Sequence, residues 1–303
     1  MKIGITGGTG LVGKQLLSLL VSKGHQLVVF SRHAQPDSHG GQVSYSQWDP
    51  SKKQMDSAML SDLEAIIHLA GESVATKRWT AARKKEILES RTLVTQFLVA
   101  QLNQYALQCK VFISASAIGF YGPDTLHGQA FEETAPVYDD FLGNTCKQWE
   151  DSSLQLNPAI RKVITRIGIV LSKEGGALPQ FALPLHFFVK PLFAGGKQMI
   201  SWISVQDLVR LFVFALEHDS CVGIINAVAP QPVAQQELMN ALAVPINRYA
   251  IPVYVPAGLL QILLGAMSIE VLKSTRVSAQ KIQSLGFKFQ SNTIQEAIAS
   301  LYA

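Results

Sequence analysis

Three glycines near the start of the chain have the spacing of a phosphate-binding turn. Gly7, Gly10 and Gly13 stand in ITGGTGLVG, between a short apolar run and a segment with apolar residues at helical spacing. The first glycine permits a tight turn, the second leaves room for a diphosphate, and the third lets the helix pack closely on the strand. The N–H groups that begin the helix then bind the diphosphate. A turn without a ligand is the alternative, but the place of this turn at the first strand of a βαβ series favours a dinucleotide site.

The second strand ends in residues that select between two dinucleotides. A site for NAD usually presents a carboxylate there to the ribose 2′-hydroxyl, whereas an arginine accommodates the 2′-phosphate of NADP. Here the residues are Ser31 and Arg32, followed by His33. The guanidinium matches a phosphate in charge and geometry, so the sequence favours NADP as the cofactor. The alternative is that Arg32 is an ordinary solvated residue at a strand end.

The elements that position these residues alternate between strands and helices. Helices are predicted after the glycine turn, at about 82–103 and at 140–156. Near-continuous apolar runs predict buried strands, which are typical of a parallel sheet covered on both faces. These runs are KIGIT (2–6), QLVVF (26–30), AIIHLA (65–70), VFISAS (111–116) and VITRIGIV (163–170).

The composition of the sequence changes after Leu171, where glycine, proline and aromatic residues become frequent. We predict a Rossmann-type, doubly wound parallel sheet over residues 1–171 and a smaller α/β carboxy-terminal lobe over 172–303 that binds substrate. The segments DLVRLFVFALEH and IINAV are expected to return to the main sheet at about 207–228.

Composition excludes several classes of protein. The 303 residues are 48% hydrophobic, which is enough for a large core, and the net charge of +4 is spread along the chain. We therefore do not expect a nucleic-acid-binding surface, and we expect a small-molecule substrate.

The three cysteines, Cys109, Cys146 and Cys221, do not have the spacing of metal ligands. We therefore expect free thiols, no metal site and a reducing compartment. We find no secretion signal, and the apolar run 258–267 is shorter than the about 20 residues that span a membrane, so a cytoplasmic protein is expected.

Several motifs together resemble the extended form of the short-chain dehydrogenase/reductase superfamily. They are TGGTGLVG (6–13), HLAG (68–71) and SASAIGFYG (114–122). Further blocks narrow the resemblance to the YfcH-type epimerase family, over nearly the whole chain; they include FLGNTCKQWE (141–150) and GGKQMISWISVQDL (195–208). This resemblance implies an NADP-binding Rossmann-type sheet and a lobe that closes over a substrate cleft.

The resemblance also adds residues to the predicted cofactor site. Leu69 and Ala70 follow a central strand, and Glu86 and Arg91 lie on the next helix. Without the resemblance, a solvated helix face is the better interpretation of Glu86 and Arg91. The full predicted cofactor set is Gly7, Thr9, Gly10, Leu11, Val12, Gly13, Ser31, Arg32, Leu69, Ala70, Glu86 and Arg91.

The catalytic pair that the resemblance implies is missing. Reductases and epimerases of this superfamily use a tyrosine whose pKa is lowered by a lysine four residues later on the same helix. Alignment on Glu150 places Leu142 at the tyrosine position and Cys146 at the lysine position. Neither can transfer a proton in the same way, and we expect Cys146 to be a small buried side chain.

Two residues near the end of the VFISAS strand remain as catalytic candidates. Ser116 ends the strand and Tyr121 follows in the loop, where its hydroxyl can donate a hydrogen bond. One hypothesis is therefore an NADP-dependent oxidoreductase or epimerase that acts on a carbonyl or sugar-like substrate. The other is an NADP-binding sensor or partner-binding protein with little turnover. The sequence leaves the substrate, the oligomeric state and the partners open.

Overall fold

The computed structural model describes residues 1–33, 37–124 and 128–303. Fifteen strands occur in these residues. They are β1 (Lys2–Thr6), β2 (Gln26–Ser31), β3 (Val43–Asp49), β4 (Gln54–Met55), β5 (Ala65–His68), β6 (Val111–Ala117), β7 (Arg161–Ile167), β8 (Ile169–Ser172), β9 (Gly175–Gly176), β10 (Val189–Phe193), β11 (Met199–Ile200), β12 (Trp202–Ser204), β13 (Gly223–Ala227), β14 (Val233–Ala234) and β15 (Ile251–Val255).

Ten α-helices in the described residues connect or cover these strands. They are α1 (Leu11–Ser22), α2 (Ala81–Tyr105), α3 (Phe141–Leu154), α4 (Leu178–Leu185), α5 (Val205–Glu217), α6 (Gln235–Ile246), α7 (Ala257–Leu264), α8 (Ser268–Leu272), α9 (Gln280–Ser284) and α10 (Ile294–Tyr302). None of the described helices is both long and apolar enough to cross a membrane.

Eight strands form one twisted sheet in the order β13-β7-β6-β5-β1-β2-β3-β4. Neighbours run parallel except β3 and β4, which are antiparallel. The strand order reverses beside β1, because β2 lies on one side of it and β5 on the other. Open sheets of this kind bind ligands at the carboxyl ends of the strands next to such a reversal. The predicted Rossmann-type fold is thus confirmed.

Helices cover both faces of this sheet. Side chains alternate between the faces along a strand, so Ile3 and Ile5 pack against α1 and α5 on one face, while Ile66 and Phe112 pack against α2 on the other. Both sets are fully buried. The two apolar layers hold the carboxyl ends of β1, β2, β5 and β6 at one edge of the sheet.

The predicted strand 163–170 is in fact two strands in different sheets. β7 belongs to the main sheet, whereas β8 pairs with β12 and β9. Gly168 joins them, and a Cβ there would lie only 2.7 Å from the Ser201 carbonyl oxygen. The close approach of these two segments therefore requires glycine at the point where the chain leaves the main sheet.

The remaining residues form a carboxy-terminal lobe with its own apolar core, which includes Leu178, Trp202 and Leu242. Between two parts of this lobe, the chain returns to the main sheet through α5, and β13 pairs with β7 at the edge of that sheet. Where one domain ends and the other begins stays a prediction, since the two are joined by several crossings of the chain.

Candidate functional site

The glycine turn has the geometry that close packing requires. Gly7 has φ +72°, and a Cβ there would lie 2.7 Å from the Leu69 carbonyl carbon. At Gly13 a Cβ would lie 2.6 Å from the Gly8 Cα, so a side chain would separate α1 from β1. Gly10 is the residue before α1 and differs from both, since a Cβ there would meet only the Gly7 carbonyl oxygen, at 3.3 Å. Two of the glycines thus serve packing, and the third leaves space.

That space opens into a cavity of about 420 Å³, which we call the glycine-turn cavity. It lies at the reversal of strand order, beside the first N–H groups of α1, which have no partner within the helix. Seven residues of the predicted cofactor set line it: Gly7, Thr9, Gly10, Ser31, Arg32, Leu69 and Ala70. The structure therefore brings together residues that follow three separate strands, β1, β2 and β5.

Arg32 lines the outer part of this cavity and forms no ion pair with any residue of the described chain. Asp49, at the end of β3, lines the same cavity and was not identified from the sequence. Its carboxylate accepts hydrogen bonds from the Ser51 hydroxyl at 2.6 Å and the Ser51 N–H at 3.1 Å, which lower the pKa of Asp49. Its position at the carboxyl end of a sheet strand was the available signal.

The other predicted cofactor residues lie around the cavity rather than in its wall. Leu11, Val12 and Gly13 form the first turn of α1. Glu86 is half exposed on α2 and pairs with Arg83 at 2.6 Å, so its carboxylate is already occupied. The structure does not bring Glu86 into the cavity.

Arg91 is a partly buried cation between α2 and α3. Its Nη2 donates to the Glu72 carbonyl oxygen at 2.9 Å, and its guanidinium lies 5.2 Å from the centre of the Trp149 ring. No carboxylate of the described residues pairs with it, and burial lowers its pKa. Because Trp149 and Cys146 are three residues apart on α3, Arg91 lies on the helix face that carries Cys146. A partly buried positive charge with no counter-ion among the described residues is suited to an anionic or polar ligand.

A second cavity, of about 410 Å³, lies between the end of the main sheet and the lobe. We call it the apolar cavity, because its walls include Trp79, Phe181, Phe193, Met199 and Met267. It adjoins the glycine-turn cavity along one loop, since residues 71 and 72 line the first cavity and residues 74 and 75 line the second. The two cavities therefore lie close together at this loop.

The helix that carries the tyrosine and lysine positions borders this second cavity. Leu142 lines it, and Gly119 stands opposite, where a Cβ would lie 3.2 Å from the Leu142 Cβ. Cys146 is one turn further along α3 and is buried, as predicted. Burial raises the pKa of the Cys146 thiol to about 12, so the thiolate does not form at neutral pH. All three cysteines are free and buried.

The two catalytic candidates lie elsewhere, in a buried polar cluster of Ser116, Tyr121, Glu150, Arg166 and Asn226. The Ser116 hydroxyl donates to the Glu150 carboxylate at 2.6 Å. The Tyr121 hydroxyl donates to Asn226 Oδ1 and accepts from Arg166 Nη1, each at 2.8 Å. Tyr121 has no exposed surface, and burial raises its pKa to about 12.

This cluster corrects the prediction that Tyr121 and Ser116 face a substrate. Both hydroxyls are held by protein partners, and neither residue lines the apolar cavity. The sequence placed Tyr121 in the correct loop, but the direction of its side chain is set by Arg166, which lies 45 residues later on β7.

Tyr121→Phe is therefore expected to act on stability. Removal of the hydroxyl leaves a buried arginine N–H and the Asn226 amide oxygen without this partner, at a cost of about 1–3 kcal/mol in the free energy of unfolding. Urea unfolding of the variant and of the parent measures this. Dinucleotide affinity should not change, and a large loss of affinity with unchanged stability would return Tyr121 to the functional site.

A charged pair that the sequence analysis missed does line the apolar cavity. Lys273 Nζ donates to Glu270 Oε1 at 2.9 Å and, more weakly, to the Tyr121 carbonyl oxygen at 3.4 Å. Burial raises the pKa of Glu270, and the charge of Lys273 opposes that rise. Glu270 and Lys273 are three residues apart at the end of a short helix, a spacing too common on solvated helices to identify them from sequence.

His68, Trp202 and Asp207 are held by protein partners. His68 is buried between the hydroxyls of Thr6 and Thr95, and burial lowers its pKa to about 3, so the ring is neutral. Trp202 is buried and donates to the Gln231 carbonyl oxygen, and Asp207 lies in the first turn of α5. No group of three or more metal-ligating side chains comes together in the described parts of the chain.

Two family models match this chain. Residues 3–227 match the model described as the NAD dependent epimerase/dehydratase family, and residues 255–301 match a domain of unknown function (DUF1731). Epimerase family protein SAR0825 of Staphylococcus aureus (strain MRSA252) is 33% identical over 299 residues, which are 98% of this chain and 97% of that protein. The two matched models lie one after the other along the chain.

Solved structures resemble the fold over its whole length. The human epimerase family protein SDR39U1 (isoform2), solved with NADPH, has a TM-score of 0.89 and 25% identity, covering 100% of this chain and 99% of that one. A nucleoside-diphosphate sugar epimerase from Corynebacterium glutamicum has a TM-score of 0.79 and 31% identity, and the match covers 100% of this chain and 58% of that one.

Proposed function

The chain belongs to the NAD-dependent epimerase/dehydratase family, and from that premise we propose that it is an NADP(H)-dependent oxidoreductase or epimerase-like enzyme that acts on a carbonyl compound. The observation that carries the proposal is the glycine-turn cavity, which joins the N-terminus of α1 to Arg32, an arginine after β2 that forms no ion pair with the described residues. The human relative solved with NADPH supports the choice of dinucleotide.

The residues of the cavity fit the parts of such a cofactor. Gly7, Gly10 and the first turn of α1 would hold the diphosphate, because backbone N–H groups and the helix dipole favour negative charge. Ser31 and Arg32 would hold the 2′-phosphate through charge-assisted hydrogen bonds. Two acidic residues, Asp49 and Glu72, line this cavity, and the Asp49 carboxylate already accepts two hydrogen bonds from Ser51.

When bound, a nicotinamide dinucleotide supplies a hydride donor or acceptor. The apolar cavity is the place in this chain where that chemistry would be shielded from water, since it adjoins the glycine-turn cavity. Arg91 would supply the positive charge that the lysine supplies in relatives, because it lies against the same face of α3 as Cys146. Its guanidinium cannot be deprotonated at neutral pH, so it binds and orients but does not transfer a proton.

A proton donor for the substrate oxygen is still required, and Lys273 is the charged donor in the wall of the apolar cavity. Glu270 holds its ammonium group in place at 2.9 Å. A lysine in this position would donate a hydrogen bond to a carbonyl oxygen and stabilise the negative charge that develops there.

The vacant tyrosine and lysine positions favour a second candidate, an NADP(H) sensor with little turnover. Leu142 and Cys146 cannot transfer protons, and Tyr121 is held in the buried polar cluster. The two candidates differ in one measurement, which is NADPH oxidation in a screen of carbonyl substrates with a protein that binds NADPH. Oxidation that Lys273→Met abolishes supports the enzyme, and tight binding with no oxidation supports the sensor.

Arg32→Ala tests the choice of dinucleotide. Loss of the charge-assisted contact should weaken NADPH binding by about 1.5–3 kcal/mol, which is roughly 10- to 150-fold in Kd. NADH binding should stay nearly unchanged, because NADH has no 2′-phosphate. Fluorescence titration of both cofactors against both proteins measures the difference.

Arg248→Ala is the matched control, since Arg248 is an exposed arginine that lines neither cavity. It should leave both affinities unchanged. Equal losses for NADPH and NADH in Arg32→Ala would mean that Arg32 does not recognise the 2′-phosphate.

A further inference from the structure

The walls of the apolar cavity have a composition that bears on the substrate. Aromatic and aliphatic side chains of the main domain and of the lobe face one another across it, among them Trp79, Ile169, Phe181 and Phe193. Its volume of about 410 Å³ is that of a small-molecule site. A ligand in this cavity gains affinity mainly by removing apolar surface from water.

The neutral polar side chains in the wall are already bonded to the protein. The Ser201 hydroxyl donates to the Thr275 carbonyl oxygen at 3.0 Å and accepts from the Val277 N–H at 2.9 Å. The Thr275 hydroxyl donates to the Gly122 carbonyl oxygen at 3.1 Å. These hydroxyls have little capacity left for the several hydroxyl groups of a sugar.

Gln235 is engaged in the same way. Its amide nitrogen donates to the Pro191 carbonyl oxygen at 3.0 Å, and its amide oxygen accepts from the Phe193 N–H at 3.4 Å. Both ends of the side chain thus fix β10 against α6. A buried sugar hydroxyl would lose its hydrogen bonds to water in this cavity and find few new ones.

The charges in the wall argue against a diphosphate. Lys273 is the one cation among the residues that line the apolar cavity, and Glu270 neutralises it at 2.9 Å. The diphosphate of a sugar nucleotide carries about two negative charges and is usually bound by arginine forks, lysines or helix N-termini. With two of its three N–H groups engaged, the ammonium of Lys273 has one left, which is enough for a single ligand oxygen.

We propose that the apolar cavity binds an apolar carbonyl compound or alcohol, with one oxygen directed at Lys273, and that it does not bind a sugar nucleotide. The identification of this ligand as the substrate rests on the proposed function. The binding preference itself rests only on the cavity walls and is tested without turnover.

The test is equilibrium binding of two probes, 2-undecanone and UDP-glucose, by calorimetry with and without saturating NADP+. The expected result is measurable binding of the ketone and at least a tenfold weaker binding of UDP-glucose, because only the ketone matches the walls. Tighter binding of UDP-glucose than of the ketone would overturn the proposal.

Two residues of α4 provide a matched pair of variants. Phe181 lines the apolar cavity, whereas Leu183, on the same helix, is exposed and does not. Phe181→Ala should weaken ketone binding about tenfold or more through the loss of apolar contact, and Leu183→Ala should leave it unchanged. Equal affinities in Phe181→Ala and the parent protein would place the ketone outside this cavity and overturn the proposal.

Ala177→Trp provides a second test if the Phe181→Ala variant does not fold. Ala177 also lines the cavity, and the indole ring of tryptophan should fill the cavity and exclude the ketone. NADPH titration separates the two proposals. If the variants weaken ketone binding but the protein does not bind NADPH, the proposed function is wrong and the assignment of the cavity is supported. If the protein binds NADPH but prefers UDP-glucose to the ketone, the assignment of the cavity is wrong and the proposed dinucleotide binding is supported.

Discussion

Arg166→Met is expected to lower the free energy of unfolding by about 3–5 kcal/mol, because it leaves a buried carboxylate without its cation. Arg166 and Glu150 have side chains that are 2% and 6% exposed. The guanidinium donates from Nε to Oε1 and from Nη2 to Oε2, both at 2.8 Å. In the variant, the Ser116 hydroxyl is the one remaining partner described for that carboxylate.

The pair joins elements that are distant in the chain. Glu150 is on α3 and Arg166 is on β7, and through Tyr121 and Asn226 the same network reaches the loop after β6 and the strand β13. Burial opposes the charged form of Arg166, but the hydrogen bonds and charge of Glu150 outweigh it and raise the pKa of Arg166. The network therefore fixes the chain around the end of the sheet where the apolar cavity begins.

Urea unfolding of the parent, Arg166→Met and the double variant Arg166→Met/Glu150→Gln measures this effect. The double variant should recover part of the loss, since it removes the unpaired charge. Lys147→Met is the surface control on the same helix, because Lys147 and Asp151 pair at 2.6 Å with both side chains half exposed. That variant should change stability by less than about 1 kcal/mol. A loss of similar size in Arg166→Met would show that the buried pair contributes no more than a surface pair.

The sequence predicted the parts of the fold where apolar runs are continuous. β1, β2, β5 and β6 lie within about two residues of the predicted strands, and α2 and α3 agree similarly well. β3 was missed because VSYSQWD has no continuous apolar run, which is the pattern that predicted β1, β2, β5 and β6. The break at Gly168 was also missed, because both halves of VITRIGIV have the same apolar pattern and only the contact with Ser201 separates them.

The cofactor side of the site was more predictable than the substrate side. Gly7, Gly10, Ser31 and Arg32 belong to short segments whose spacing has a local physical meaning, and they line one cavity. The apolar cavity instead combines residues from β8, α3, α4 and α8, which meet only in the folded chain. Glu270 and Lys273 have no sequence pattern that distinguishes them from a surface pair.

Tyr121 illustrates why a residue's place in the sequence does not give its role. The loop after β6 does border the apolar cavity, since Ile118 and Gly119 line it. The tyrosine ring nevertheless stacks on Phe131, 5.2 Å away, and its hydroxyl points to Arg166. The partners of the hydroxyl, Arg166 and Asn226, are distant in the chain, and no local pattern reports these contacts.

Gly10→Val is expected to remove dinucleotide binding while the protein stays folded. The backbone at Gly10 has φ −77° and ψ 177°, which valine adopts readily, and a Cβ there would meet only the Gly7 carbonyl oxygen at 3.3 Å. The added methyl groups would therefore enter the glycine-turn cavity, where the diphosphate is proposed to lie. We expect NADPH affinity to fall at least about 100-fold, and the free energy of unfolding by no more than about 1 kcal/mol, from the poorer helix cap.

Gly13→Val separates loss of space from loss of packing, because its side chain would point into the protein instead of the cavity. A Cβ at Gly13 would lie 2.6 Å from the Gly8 Cα, so α1 would have to move away from β1 and the protein should lose stability together with binding. Thermal melts and NADPH titrations of both variants distinguish the two cases. Normal NADPH affinity in a folded Gly10→Val protein would mean that the dinucleotide does not lie against this turn. Loss of binding with the melting temperature retained is the result that the open space beside Gly10 predicts, since only a ligand would meet the new side chain there.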